Sequence, residues 1–161
     1  MSLRRAVFLD RDGVLIEHVH HLCRVEDVAL TEGAAEAVSA LNRAGQAVVL
    51  VTNQSVVARG MCSESELHEI HATVARQLGA ARLDGLYYCP HLPPDRGDPP
   101  APPFRIACDC RKPAPGMLHR AARELALDLG RSLMIGDSTS DVEAGRRAGT
   151  ESALVRTGVA G

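Results

Sequence analysis

The chain has 161 residues, 45% of them hydrophobic and only 2% aromatic with no Trp, and 18 Lys and Arg against 20 Asp and Glu give a formal net charge of −2. That length suits one compact domain spanning 1–161, able to bury roughly 70% of the surface its unfolded form exposes. The balanced charge excludes a global basic field for nucleic acid or an anionic membrane, and the scarcity of rings excludes stacking platforms for single strands. No charged leader followed by an apolar run is evident, nor any stretch near the ~20 apolar residues of a membrane span. A cytoplasmic protein acting on small charged metabolites is expected, and a monomer, since no exposed apolar stripe stands out.

Short β-type runs alternate with helical patterns, which predicts a Rossmann-like three-layer α/β sandwich with a central parallel sheet. The first strand, 6–9, runs straight into Asp10, Arg11 and Asp12. A helix follows with Ala34, Val38 and Leu41 at helical spacing and Gly45 closing it. The second strand, 47–51, ends at Thr52 and Asn53. The second helix opens on Ser63 with Glu66 three residues on, a capping-box pattern, carries Leu67, Ile70, Val74 and Leu78, and stops at Gly79. A third strand, 85–89, leads into a Pro-rich stretch, and a helix from about Pro115 carries Leu118, Ala122, Leu125 and Leu129. The fourth strand, 133–135, is followed by Asp137 and Asp141; a helix from about Ser140 to Ala148 and a last strand, 153–155, complete the order. No insertion is long enough to build a separate cap domain.

All strands of an open parallel sheet deliver their C-terminal ends to one edge, where ligands bind. Asp10, Asp12 and Asp137 should therefore converge. Carboxylates gathered so closely raise one another's pKa and need a cation among them; oxygen ligands with positions left for water and phosphate suit Mg²⁺. Thr52 and Lys112 reach the same edge and are suited to holding phosphoryl oxygens. Together these groups compose a site for phosphoryl transfer through an aspartyl-phosphate.

The stretch "CPHLPPDRGDPPAPPFRIACDC" carries Cys89, His91, Cys108 and Cys110 in two close pairs. Three thiolates and an imidazole suit tetrahedral Zn²⁺, with no position left open, so the ion is expected to be structural. A disulfide is the weaker reading for a chain expected in a reducing compartment. Cys23 and Cys62 have no comparable partners in the sequence and are expected to be small packed thiols.

In order and separation, "FLDRDGV", "VVLVTNQS", "RKPAPGM" and "IGDSTSD" resemble the four motifs of the haloacid dehalogenase phosphatase superfamily. The resemblance implies that Asp10 is the nucleophile, that Asp12 is the general acid and base, and that Thr52 and Lys112 stabilise the transferring phosphoryl group. It gives Mg²⁺ to Asp10, the backbone carbonyl of Asp12 and Asp137, with Asp141 supporting them from behind. The Cys and His pairs followed directly by "RKP" are similar to the zinc-containing branch, whose members act on heptose bisphosphates and histidinol phosphate. "TNQSVVARG" and "GLYYCPH" favour the former. The implied reaction is removal of the 7-phosphate of D-glycero-D-manno-heptose 1,7-bisphosphate, with histidinol phosphate or another small phosphomonoester as the alternative. Arg11, His18, Val19, His20, His21, Asn53, Gln54, Ser55 and Arg111 are the implied substrate contacts, Arg111 reading the distal phosphate. Val56 and Ser138 depart from the usual Gly and Lys of these enzymes. A receiver-type signalling domain, which also phosphorylates an aspartate, is the rival from another class; a zinc loop has no obvious place in it.

Overall fold

The computed structural model describes residues 2–95 and 103–158. Its sheet is five-stranded and parallel, in the order β3-β2-β1-β4-β5, built from β1 (Ala6–Leu9), β2 (Ala47–Asn53), β3 (Gly85–Cys89), β4 (Leu133–Gly136) and β5 (Glu151–Leu154). The strand order reverses beside β1, the place where such sheets open a ligand crevice. Four helices connect the strands: α1 (Ala34–Arg43), α2 (Glu64–Leu78), α3 (Gly116–Leu125) and α4 (Thr139–Ala148).

Alternation along the central strands makes the sandwich. Val7, Leu9, Val48 and Leu50 face one way and pack with Val38 of α1 and Leu67, Ile70, Val74 and Leu78 of α2. Ala6, Phe8, Ala47, Val49 and Val51 face the other way, onto Leu118 and Ala121 of α3 and Ala144 and Ala148 of α4. Successive side chains of a strand point to opposite faces, so a strand apolar at every position must be covered on both. Gly145 lets α4 come close, since a Cβ there would lie 2.8 Å from the Cβ of Met134.

The expected elements are present, with local differences. Leu129 is not on α3: the helix ends at Leu125, Ala126 takes a left-handed conformation, and Leu129 begins a short 3-10 turn. Its spacing from Leu125 reflects packing on the same face, not one continuous helix. The last strand begins two residues earlier than expected, at Glu151, where pairing with Leu133 sets the register. Cys23 and Cys62, expected to be small packed thiols, lie in and against the core side by side and share a hydrogen bond; burial raises the pKa of both, that of Cys62 to about 11. Among the described residues no helix is long and apolar enough to cross a membrane.

Candidate active site

Register places the site. Leu9 is aligned with Leu50 on one side and with Ile135 on the other, so Asp10, Thr52 and Asp137 emerge within about one residue of each other along neighbouring strands. Carboxylate oxygens of Asp10, Asp137 and Asp141 all lie within 4.8 Å of one another. Asp137 and Asp141 are buried, at 3% and 1% exposure. Gly136 and Gly13 make room for them: a Cβ on Gly136 would sit 2.1 Å from the Cβ of Asp141, and one on Gly13, at φ +79°, would sit 2.4 Å from an oxygen of Asp137.

Lys112 reaches into this cluster from the loop before α3, and all three of its protons are engaged. Nζ donates to Asp10 at 2.9 Å, to Asp141 at 2.5 Å and to the carbonyl of Val51 at 2.8 Å. Burial pulls the lysine pKa down, but the two carboxylates outweigh it and hold it above its ordinary value. Asp10 meets the opposite balance. Burial, reinforced by the carboxylates of Asp141 and Asp12, pushes its pKa up to about 7 against the pull of Lys112. Lys112 thus pairs with two of the three clustered acids, while Arg11 pairs with Asp12.

Asp141 is held differently from the other two acids. Its second oxygen accepts from the backbone N–H groups of Asp137 and Ser138 and from the Ser138 hydroxyl, capping α4. Ser138 thus serves the helix start.

The expected substrate contacts divide into three groups. Arg11 departs from expectation: it is 1% exposed, and its guanidinium is engaged by Asp12, Gln54 and His71. Gln54 is buried too, donating to Asp12 at 3.0 Å and to the Thr52 hydroxyl at 2.8 Å. Asn53 spends its amide on Lys112, accepting the backbone N–H at 2.9 Å and donating to the carbonyl at 3.0 Å, which pins the lysine's loop to the end of β2. Arg111 does border open space. It lines a cavity of about 480 Å³ with Lys112, Asn53, Ser140 and Arg147 and donates to the carbonyl of His91. Ser55 is half-buried and accepts from Arg59. His18 and His20 are exposed and Val19 half-buried against the core. His21, at φ +50°, stacks on His20, and desolvation with the nearby charges of His20 and Arg59 lowers its pKa.

The four zinc-type side chains gather at the end of β3. Cys89 and Cys108 sulfurs are 3.6 Å apart, Cys110 and Cys108 3.5 Å, and Nδ1 of His91 lies 3.6 and 3.4 Å from Cys89 and Cys110. Metal–sulfur bonds near 2.3 Å in a tetrahedron imply ligand separations of about 3.7 Å. Those four distances fit; the 2.9 Å between Cys110 and Cys89 is shorter. All three sulfurs are free of disulfides.

His71 escaped sequence reading, although a signal was present. It stands four residues after Leu67 and three before Val74, on the apolar stripe of α2, and is buried there.

Comparison with known proteins agrees with this geometry. The HAD-hydrolase-like family model matches residues 109–161. The chain is 44% identical over 158 residues to the D-glycero-beta-D-manno-heptose-1,7-bisphosphate 7-phosphatase of Photorhabdus laumondii, covering 95% of this chain and 81% of the relative. The enzyme of that name from Haemophilus ducreyi is 40% identical, covering 98% of this chain and 86% of its own. The chain belongs to the heptose-1,7-bisphosphate 7-phosphatase family of haloacid dehalogenase-like hydrolases. A solved family member, the D,D-heptose 1,7-bisphosphate phosphatase of B. bronchiseptica in complex with magnesium and phosphate, superposes with a TM-score of 0.84 at 34% identity, covering 97% of this chain and 83% of that one.

Proposed function

We propose that this protein hydrolyses the 7-phosphate of D-glycero-D-manno-heptose 1,7-bisphosphate through an aspartyl-phosphate on Asp10. The observation that carries the reading is the gathering of Asp10, Asp137 and Asp141 within 4.8 Å around the end of Lys112. Asp10 attacks phosphorus with a carboxylate oxygen as the bond from phosphorus to the sugar O7 breaks, and Asp12 gives O7 its proton. Asp12, now ionised, takes a proton from water, whose oxygen attacks the same phosphorus and releases inorganic phosphate and free Asp10. Lys112 offsets charge on the transferring group, and the Thr52 hydroxyl orients it.

The donor set fits Mg²⁺: three carboxylates offering hard oxygens within 4.8 Å of one another, with burial raising the Asp10 pKa to about 7. Asp10, the carbonyl of Asp12 and Asp137 would hold it; Asp141, committed to Lys112 and the start of α4, supports from behind. When bound, it supplies the positive charge that lets a phosphate dianion approach a carboxylate. Cys89, His91, Cys108 and Cys110 would hold a structural Zn²⁺ that braces Arg111 and Lys112. The same reading takes 1–161 as a single cap-free domain, working as a cytoplasmic monomer on a small soluble sugar phosphate.

The test is phosphate release with and without Mg²⁺, comparing kcat/KM for both anomers of the heptose bisphosphate, fructose 1,6-bisphosphate and histidinol phosphate. Many turnovers with a heptose preference are expected. A single phosphorylation event without turnover would instead mark a signalling domain, and preference for histidinol phosphate would move the chain to the other branch.

A further inference from the structure

Arg11 is the largest fully buried side chain among the described residues, and what surrounds it accounts for its presence. Its Nε and Nη2 span the carboxylate of Asp12, at 3.1 Å to Oδ1 and 3.2 Å to Oδ2. Nη2 also donates to Gln54 at 3.0 Å, and Gln54 donates in turn to Asp12. The far corner of the guanidinium, Nη1, lies 3.1 Å from Nε2 of His71, a residue sixty positions away on α2. Guanidinium carries donors only, so this ring nitrogen holds a lone pair and the ring proton is on Nδ1, which is buried without a partner. Burial and the Arg11 charge push the His71 pKa down to about 3, keeping the ring neutral. The imidazole is thus fixed in the one tautomer that can receive Nη1.

We infer that His71 is a positioning residue for Asp12, holding the Arg11 guanidinium so that its fork sets the direction of the Asp12 carboxylate. This rests on the reading of Asp12 as proton donor to the departing sugar oxygen. A two-point fork fixes the plane of a carboxylate, but only while the guanidinium itself cannot turn. Nε is tied to the side chain, so Nη1 is the corner at which a second anchor resists rotation. His71 supplies that anchor from the core of α2. A misplacement near 1 Å costs an enzyme about 10²-fold, and a general acid contributes about 10²–10⁴-fold, so a loosened Asp12 should be felt in the step that needs its proton.

Leaving-group dependence isolates that step. An alkyl sugar oxygen must be protonated as it departs, whereas 4-nitrophenolate leaves readily without a proton. In His71→Leu, kcat/KM, which reports the steps up to departure of the alcohol, should fall on the sugar phosphate by about tenfold or more beyond any fall on 4-nitrophenyl phosphate. His71→Gln, whose amide oxygen can accept from Nη1, should recover most of the loss. If His71→Leu does not fold, His71→Asn, polar but too short to reach Nη1, takes its place. Asp12→Asn is run alongside. An equal loss of kcat/KM on both esters in Asp12→Asn removes the proton-donor reading, and the role of His71 with it. A selective loss in Asp12→Asn with no selectivity in the His71 variants, or no rescue by Gln, overturns the inference alone.

Discussion

At the scale of single residues, the site is a problem in charge. Asp10, Asp137 and Asp141 lie within 4.8 Å of one another, and Lys112 bridges the first and the last with all its protons engaged. Asp10→Asn removes one negative charge and the attacking oxygen while leaving the shape intact. Turnover should fall by at least about 10³-fold, with a thermal unfolding midpoint at or above that of the parent; substantial activity in the purified variant would take Asp10 out of the nucleophile's role. Arg111 borders the open cavity beside Lys112, where a planar fork matches a phosphate. Arg111→Ala should lower kcat/KM for a bisphosphate by about 10–100-fold and for a monophosphate far less; unchanged discrimination would show that another group reads the distal end.

At the scale of elements, much could be read before any coordinates. Ser63 and Glu66 cap α2 reciprocally, at 2.7 Å from the Ser63 N–H to the Glu66 carboxylate and 3.1 Å from the Glu66 N–H to the Ser63 hydroxyl. Ser63→Ala should destabilise the protein by about 1 kcal/mol, read as a shift of the urea midpoint at constant slope. Local chemistry of this kind is written in neighbouring residues, and so were the strands and the acids at their ends. Leu129 misled because apolar spacing continued past a helix that had already turned left-handed at Ala126. The family resemblance implies Arg11, Gln54 and Asn53 as substrate contacts, and their side chains also have partners within the protein. Of these partners, His71 to Arg11, Asp12 to Gln54 and the backbone of Lys112 to Asn53 are distant in the chain, and pairings over such separations leave no trace in sequence spacing. Cys23 and Cys62 met for the same reason.

At the scale of the whole molecule, the Cys/His cluster and the acid cluster share a short piece of chain. Cys110 is two residues from Lys112, and Asn53 clamps the same loop to β2. If zinc orders this segment, a strong chelator should lower stability by a few kcal/mol, and about 2 kcal/mol corresponds to a fall of about 4–8 °C in the unfolding midpoint for a chain of this size. Activity should fall in parallel and return with Zn²⁺ but not with Mg²⁺ alone. A metal analysis finding no zinc in protein purified without chelator would end that account.

The described chain also closes on itself. The hydroxyl of Thr157 donates to the carbonyl of Gly13 at 2.6 Å, and Gly158 is pressed so near Asp137 that a Cβ there would overlap the carboxylate. Segments 144 positions apart are therefore in direct contact beside the acid cluster. The end of the described chain thus forms part of the wall behind Asp137, so the acid cluster is enclosed by residues from both ends of the sequence.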